Sequence, residues 1–190
     1  MFPPGLLGEE TLDCPPARSI PSGGHLLRTP SLGTSRSRIA FDMQGTSLAG
    51  AWKLLVFEFR SEGQVVFPFG TNFLGLCLYD SIGYMAMQIM RGDRPRFAVN
   101  DQQLGTPEEV GAAFFGYVAY SGTYVADETH GVVVHHVSQS LFPNWVGTDQ
   151  VRFYRISGDR LIVGAPTQQV GGHLMDVMTV WERLAPIAGA

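Results

Sequence analysis

The chain has 190 residues, of which 45% are hydrophobic and 16% are charged, a balance that predicts one globular domain with a large buried core. Its formal net charge of -4 argues against nucleic acid and anionic membranes as partners, because phosphate groups are bound by clusters of Lys and Arg. The sequence has only two cysteines, so we expect no disulfide framework. It contains no apolar run long enough to span a membrane, and its N-terminus does not have the pattern of a secretory signal, so we expect a cytoplasmic protein.

Residues 1 to 46 differ in composition from the rest of the chain. They are rich in Pro, Gly, Ser and Thr, as in CPPARSIPSGG and RTPSLGTSRSR, and they show neither the period of a strand nor that of a helix. We therefore predict a flexible tail over residues 1–46 and a folded domain over residues 47–190.

Short apolar or alternating segments, divided by turn signals, follow from residue 47 and are typical of β-strands. The predicted strands are Trp52 to Arg60, Val65 to Phe67, Phe73 to Tyr79, Tyr84 to Arg91, Tyr117 to Ala126, Gly131 to Gln139, Gln150 to Ile156, Arg160 to Val163 and His173 to Leu184. One helix is predicted before the fifth of them. Thr106 and Glu109 have the spacing of a capping box, with Pro107 at the first helical position, and this helix continues to about Phe115.

About eight antiparallel strands predict an all-β protein with one short inserted helix. An antiparallel sheet of this size usually hides its edges by closing into a barrel, and a barrel of about eight strands encloses side chains or one small ligand. A two-sheet sandwich shows the same alternation of residues. We favour the closed antiparallel barrel.

The two ends of the folded domain resemble the lipocalins. Gly50-Ala51-Trp52 resembles the Gly-x-Trp motif of that superfamily, whose indole closes one end of the barrel. In the superfamily an Arg on the last strand covers this Trp, and Arg183 in VWERL has the matching position, which predicts a cation–π contact. The resemblance implies that Gly50, Trp52 and Arg183 close the barrel.

Longer stretches are similar to the intracellular lipocalin-like domain family of bacteria and fungi. In chain order these stretches are WKLLVFEF, VVFPFG, GYMAMQIMRGDRPRF, GYVAYSGTY, HHVSQSLFPNWVGTDQVRF and VWERL. The similarity covers residues 48 to 184 and implies a calycin barrel. Many members of this family have no assigned reaction, whereas related barrels include cyclases, isomerases and carriers of natural-product pathways.

The first predicted strand places an acidic side chain on the same face as the closing tryptophan. The two-residue period of a strand points both Trp52 and Glu58 into the barrel. A carboxylate in an apolar cavity is costly to ionise, so it either keeps its proton or gains a partner, for which Arg152 is a candidate. Glu58 is therefore a candidate catalytic residue; the alternatives are a structural ion pair and a position at the wet rim.

Polar groups on three other strands are candidate ligand contacts. Tyr120 and Tyr124 share one face of their strand, Gln88 lies on another strand, and Arg152 lies on a third. Converging polar groups in an apolar barrel orient a bound molecule. In the alternative, the tyrosines bury their rings and donate their hydroxyls to backbone carbonyls.

Adjacent histidines on a strand point to opposite faces, so His135 and His136 cannot bind one metal ion together. No metal site and no cofactor is predicted. One of the two faces the cavity, and we choose His136, because the family resemblance places it just before SLFPNWVGT. An inward histidine is a candidate acid or base, and its alternative is a structural role.

Two loops contain further candidate ligand contacts. Ser140 to Thr148 includes Asn144 and Trp145, and it forms either a wall of the pocket mouth or a barrel corner. Arg96, in the loop Gly92 to Asn100, either binds an anionic group of the ligand or braces its loop.

Two functions follow from these features. A Gly-rich phosphate loop, a nucleophile elbow, a zinc motif and a dinucleotide fingerprint are all absent from the sequence, so kinase, hydrolase and dehydrogenase activities lose support. The first hypothesis is a barrel that binds a small hydrophobic or aromatic molecule in specialised metabolism. The second is a cofactor-independent isomerase, cyclase or dehydratase in which Glu58 or His136 moves a proton. A partner-binding role for exposed apolar surface near the helix is a third possibility.

Overall fold

The structure, a computed structural model, describes residues 47–61 and 64–187. Within these ranges the chain forms nine strands, one α-helix and two short 3₁₀ helices. The elements are β1 (Gly50–Ser61), β2 (Gln64–Val66), β3 (Phe73–Tyr79), β4 (Tyr84–Arg91), a 3₁₀ helix (Gln102–Leu104), α1 (Pro107–Phe115), β5 (Tyr117–Asp127), β6 (Val132–Ser140), a 3₁₀ helix (Pro143–Trp145), β7 (Asp149–Ser157), β8 (Arg160–Val170) and β9 (His173–Arg183). The predicted tail lies outside the described residues.

The strands form a closed antiparallel barrel, which confirms the predicted fold class. From β3 to β9 each strand pairs with the next, and β1 pairs with both β3 and β9. This second pairing closes a ring of eight strands, β1 and β3 to β9. The short strand β2 pairs with the far end of β1, where Phe59 lies opposite Val66. Closure removes the exposed strand edges that an open antiparallel sheet would present.

Strand β8 is longer than predicted. The prediction ended at Val163, and Gly164-Ala165-Pro166, which follows, interrupts the apolar pattern. In the structure β8 continues to Val170 and pairs with β9 along its length, with an irregular register between Ala165 and Gln168. The proline lies in that irregular part of the ladder.

The predicted helix α1 is confirmed. The hydroxyl of Thr106 accepts from the backbone N–H of Glu109 at 3.3 Å, and the carboxylate of Glu109 accepts from the backbone N–H of Thr106 at 2.8 Å. These reciprocal bonds form the capping box, and Pro107 occupies the first turn. Within residues 47–61 and 64–187 no helix has the length and apolar content that crossing a bilayer requires.

One end of the barrel is covered by Arg183. Its Cζ lies 4.0 Å from the centroid of the buried Trp52 ring, which is a cation–π contact. The same guanidinium donates to the backbone carbonyls of Ala49 at 2.8 Å and Ser47 at 2.7 Å. The first and last strands are thereby joined at this end, which we call the closed end.

Two features favour glycine at position 50. Gly50 has a φ of +137°, which side chains rarely allow, and a Cβ atom there would lie 2.9 Å from Nη1 of Arg183. The first residue of the Gly-x-Trp motif therefore makes room for the arginine that covers its tryptophan.

A β-bulge in β1 changes which side chains face inward. The register with β9 shifts between Leu54 and Val56, so one extra residue lies on β1. Before the shift Trp52 faces the interior, and after it Phe57 and Phe59 do. The two-residue alternation therefore does not continue from the tryptophan to the end of the strand.

Candidate ligand-binding cavity

The barrel encloses a cavity of about 480 Å³, within the size range of small-molecule sites. Its apolar wall includes Phe57, Phe59, Met87, Ile89, Val118, Val163, Val177 and Trp181. At the end opposite Arg183, Phe114 and Phe115 of α1 line the cavity, and Phe115 is 79% exposed. We call this end the mouth. A ligand in this space would contact mainly aromatic and aliphatic side chains.

A cluster of three polar side chains interrupts the apolar wall. The Tyr79 hydroxyl lies 2.9 Å from Nε2 of His135, and the Tyr120 hydroxyl lies 2.9 Å from Nδ1 of the same ring. All three residues are buried and all three line the cavity. We call them the tyrosine–histidine triad. Both nitrogens of the imidazole therefore have partners, as buried polar groups require.

Burial sets the protonation states of the triad. Loss of hydration lowers the pKa of His135 to about 3, and the nearby charge of Arg152 acts in the same direction. Burial also raises the pKa of Tyr120 to about 12 and that of Tyr79 well above its usual value. At neutral pH the histidine is uncharged and both tyrosines keep their hydroxyl protons.

Arg152 supplies a positive charge beside the triad. It lies on β7 and lines the cavity, and its guanidinium donates to Gln150 Oε1 at 3.2 Å and to the carbonyl of Val151 at 2.8 Å. Among the described residues no carboxylate lies within ion-pair distance of it. Its charge counteracts part of the rise that burial causes in the pKa of Tyr120. The cavity wall thus contains a cation that the described side chains do not neutralise.

The prediction that Glu58 points into the barrel is wrong. The bulge in β1 shifts the alternation by one residue, so Phe57 and Phe59 face the cavity and Glu58 faces the outer side. Its carboxylate is buried there and accepts from Nε of Arg60 at 2.6 Å. The ion pair is therefore with Arg60, two residues along the strand, and not with Arg152.

The choice of His136 as the inward histidine is also wrong. His136 is exposed, and its Nδ1 lies 2.6 Å from Oδ1 of Asp149 on the outer surface. The inward face of β6 contains Val133, His135 and Val137, which are all buried. The two histidines do point to opposite sides of the sheet, and the one that faces inward is His135.

Three of the expected ligand contacts lie outside the cavity wall. Gln88 is exposed and accepts from the hydroxyl of Tyr117, because β4 turns Met87 and Ile89 inward. Arg96 and Asn144 are also exposed, and neither lines the cavity.

The loop is held in place by Arg94, two residues before Arg96, for which this role was considered. The guanidinium of Arg94 lies 4.9 Å from the ring centroid of Tyr117 and donates to the carbonyl of Ala113 in α1 at 3.2 Å. This arginine connects the helix to the start of β5.

Tyr124 has the structural role that was considered as the alternative for both tyrosines, with a buried ring and a hydroxyl that donates to a backbone carbonyl. Its hydroxyl donates to the carbonyl of Asp80 at 2.8 Å, and its ring packs edge-on against Tyr79 at 4.9 Å. It is buried near the closed end and does not line the cavity. Tyr120, on the same face of β5, does line it.

Trp145 and its loop form part of the cavity wall. The indole packs edge-on against the ring of Tyr120, with centroids 5.6 Å apart and planes at 89°. Leu141 and Phe142 of the same loop also line the cavity. Of the two roles considered for this loop, the structure favours the wall of the mouth.

Sequence reasoning missed Tyr79. The register between β1 and β3 places Cys77 opposite Trp52, so Cys77 and Tyr79 both face inward. The alternation of residues on β3 is visible in the sequence, but its phase relative to the barrel depends on this register. If Cys77 had been placed opposite the inward-facing Trp52 in the pairing of β1 with β3, Tyr79 would have been identified as an inward-facing residue.

Comparison with known proteins agrees with the geometry. Residues 49–184, more than half of the chain, match the sequence model of a protein family described as a lipocalin-like domain. A relative from Aspergillus oryzae, the 4'-hydroxy-3'-methoxypropiophenone carrier protein, is 36% identical over 83 residues that cover 40% of this chain and 75% of the relative. The closed barrel, its Gly-x-Trp end and the family match lead to one conclusion: the chain belongs to the lipocalin-like domain family.

Proposed function

We propose that this protein binds a small, mostly apolar aromatic molecule inside its barrel and acts as a carrier in specialised metabolism. The observation on which this rests is the cavity of about 480 Å³, with an aromatic and aliphatic wall, an open mouth and one buried polar cluster. Pockets of this size and character bind small molecules by burying apolar surface, while a few polar groups fix the orientation.

The relative from Aspergillus oryzae supports this proposal. Its name assigns it an aryl ketone, 4'-hydroxy-3'-methoxypropiophenone, as cargo, and it shares 36% identity with part of this chain. An aryl ketone combines an apolar ring with an oxygen acceptor. That combination fits a cavity in which aromatic walls surround Tyr120 and Arg152.

The groups at the cavity support binding over proton transfer. Glu58 and His136, the expected proton-transfer residues, lie outside the cavity wall. His135 lies within it, but both of its ring nitrogens are occupied and its pKa is about 3, far from the value near the working pH that an efficient general base requires. We therefore favour a carrier over a cofactor-independent isomerase, cyclase or dehydratase.

Native mass spectrometry of the purified protein, followed by titration with 4'-hydroxy-3'-methoxypropiophenone, tests the proposal. Trp145 and Trp181 line the cavity, so quenching of tryptophan fluorescence reports occupancy. We expect one molecule per chain, with a Kd on the order of micromolar.

A cavity-filling variant separates interior binding from surface adsorption. Ala165→Trp places a large ring in the cavity wall, whereas the control Ala86→Trp adds the same ring on β4 outside that wall. Binding should be lost in the first and retained in the second, with both variants showing the circular dichroism of the parent. Equal binding by the two variants would contradict the proposal.

A further inference from the structure

The tyrosine–histidine triad contains one more proton than its internal hydrogen bonds use. A neutral imidazole has one N–H donor and one acceptor nitrogen, and each tyrosine has one O–H. Three protons are therefore available, but only two bonds join Tyr79, His135 and Tyr120. One tyrosine donates to the ring while the other accepts from it, so the hydroxyl proton of the accepting tyrosine is not used within the triad. Tyr79 also has a side-chain hydrogen-bond partner in Cys77, whereas the further partner of Tyr120, Arg152, can only donate.

The position of each tyrosine along the barrel decides which one a ligand meets. Tyr79 pairs with Gly50 at the closed end, and its ring packs against Tyr124. Tyr120 pairs with Met87 and Ser140, nearer the mouth, and its ring packs against Trp145 in the loop between β6 and β7. A molecule that enters through the mouth therefore reaches Tyr120 before Tyr79.

We propose, building on the binding function above, that Tyr120 donates its hydroxyl proton to an oxygen acceptor of the ligand, a carbonyl or a phenol oxygen, beside the guanidinium of Arg152. In this arrangement His135 is protonated at Nδ1 and donates to the Tyr120 oxygen, while Tyr79 donates to Nε2. The ligand class is then an aromatic molecule with one oxygen acceptor, bound with that oxygen toward the triad and its apolar part toward the wall.

The surroundings of the triad agree with this assignment. Arg152 lines the same cavity and has no carboxylate partner among the described residues, so its charge favours an electron-rich oxygen. A hydrocarbon in the same place would leave the hydroxyl proton without an acceptor and would offer this cation no electron-rich oxygen. An unpartnered buried donor costs free energy, and a ligand oxygen removes that cost.

Two probes of nearly equal shape test the assignment. 2-Acetonaphthone has a carbonyl where 2-ethylnaphthalene has a methylene group, and both are titrated into the full chain and into Tyr120→Phe. We expect the variant to bind the ketone about tenfold more weakly, the ratio that one hydrogen bond of about 1.4 kcal/mol provides, while its affinity for the hydrocarbon changes less than about twofold. Comparing the two ratios cancels the different hydration of the probes.

Tyr124→Phe is the matched control. It also removes one buried tyrosine hydroxyl from β5, but that hydroxyl donates to Asp80 outside the cavity wall. It should leave the affinity for both probes unchanged, and melting curves of both variants show that they remain folded.

The tautomer of His135 gives a second readout. In the ketone complex, ¹⁵N-resolved imidazole spectra should show the proton on Nδ1. The assignment would be overturned by a proton on Nε2 in the complex, or by a Tyr120→Phe variant whose affinity for the ketone and for the hydrocarbon falls by the same factor. If the parent binds the hydrocarbon and Tyr120→Phe keeps full ketone affinity, the assignment fails and the binding function stands. If the parent binds neither probe, both fail.

Discussion

Protonation of His135 should destabilise this protein in mild acid. Burial lowers the pKa of this ring to about 3 in the folded state, whereas histidine has an ordinary value of 6.5. The unfolded state therefore binds more protons than the folded state between these two values, and stability is lost as the pH falls. Each pH unit below the unfolded value costs about 1.4 kcal/mol, so a fall to pH 5 costs about 2 kcal/mol.

Urea unfolding at pH 7 and pH 5 measures this loss. His135→Gln keeps a polar side chain but does not titrate, so its free energy of unfolding should fall by about 2 kcal/mol less than that of the parent over this interval. The other histidines are common to both proteins and cancel in the comparison. Carboxyls with a lowered pKa, such as that of Asp93, lose their contribution only below an ordinary value of 3.8, outside this interval. Equal losses in the two proteins would refute the buried neutral state assigned to His135.

Three further predictions concern the closed end, the buried thiol and the pH dependence of binding. Arg183→Ala removes the cation above Trp52 and two hydrogen bonds to backbone carbonyls, so urea unfolding should show a loss of about 1–3 kcal/mol, of which Arg183→Lys recovers only part. Burial raises the pKa of the Cys77 thiol to about 12, so peptide mass spectrometry should find Cys77 alkylated by iodoacetamide only after unfolding, and rapid labelling of the folded protein would contradict this. The Kd for 2-acetonaphthone should stay constant from pH 6 to pH 9, because the pKa values of His135 and Tyr120 are about 3 and about 12, and a titration within that range would show that another group contacts the ligand.

The strands and the helix could be predicted because their signals are local. The capping box at Thr106 and Glu109 operates within one turn, and a strand shows its period over a few residues. The contact between Trp52 and Arg183 at the closed end joins the first and last strands, which are far apart in the sequence. It was expected from the family resemblance. Local patterns and a recurring motif were therefore sufficient for the fold.

The candidate site was harder to predict, because it depends on the phase of each strand. On β1 one extra residue at the bulge inverts the alternation, so Glu58 faces outward and Phe57 and Phe59 line the cavity. On β6 the sequence showed that two neighbouring histidines face opposite ways, but the pairing with the adjacent strands decides that His135 is the inner one. Neither outcome has a signal within the strand itself.

The sequence by itself determined an all-β chain with aromatic and polar side chains available for its interior, and the resemblance of its two ends to the lipocalins implied that the first and last strands meet over a tryptophan. The tertiary structure alone decided which of these side chains share the cavity. Tyr79 and His135 are 56 positions apart, and their hydrogen bond exists only because ring closure sets the register of every strand at once. A one-residue shift in any ladder exchanges the inner face for the outer face, so the site depends on all the strand pairings together.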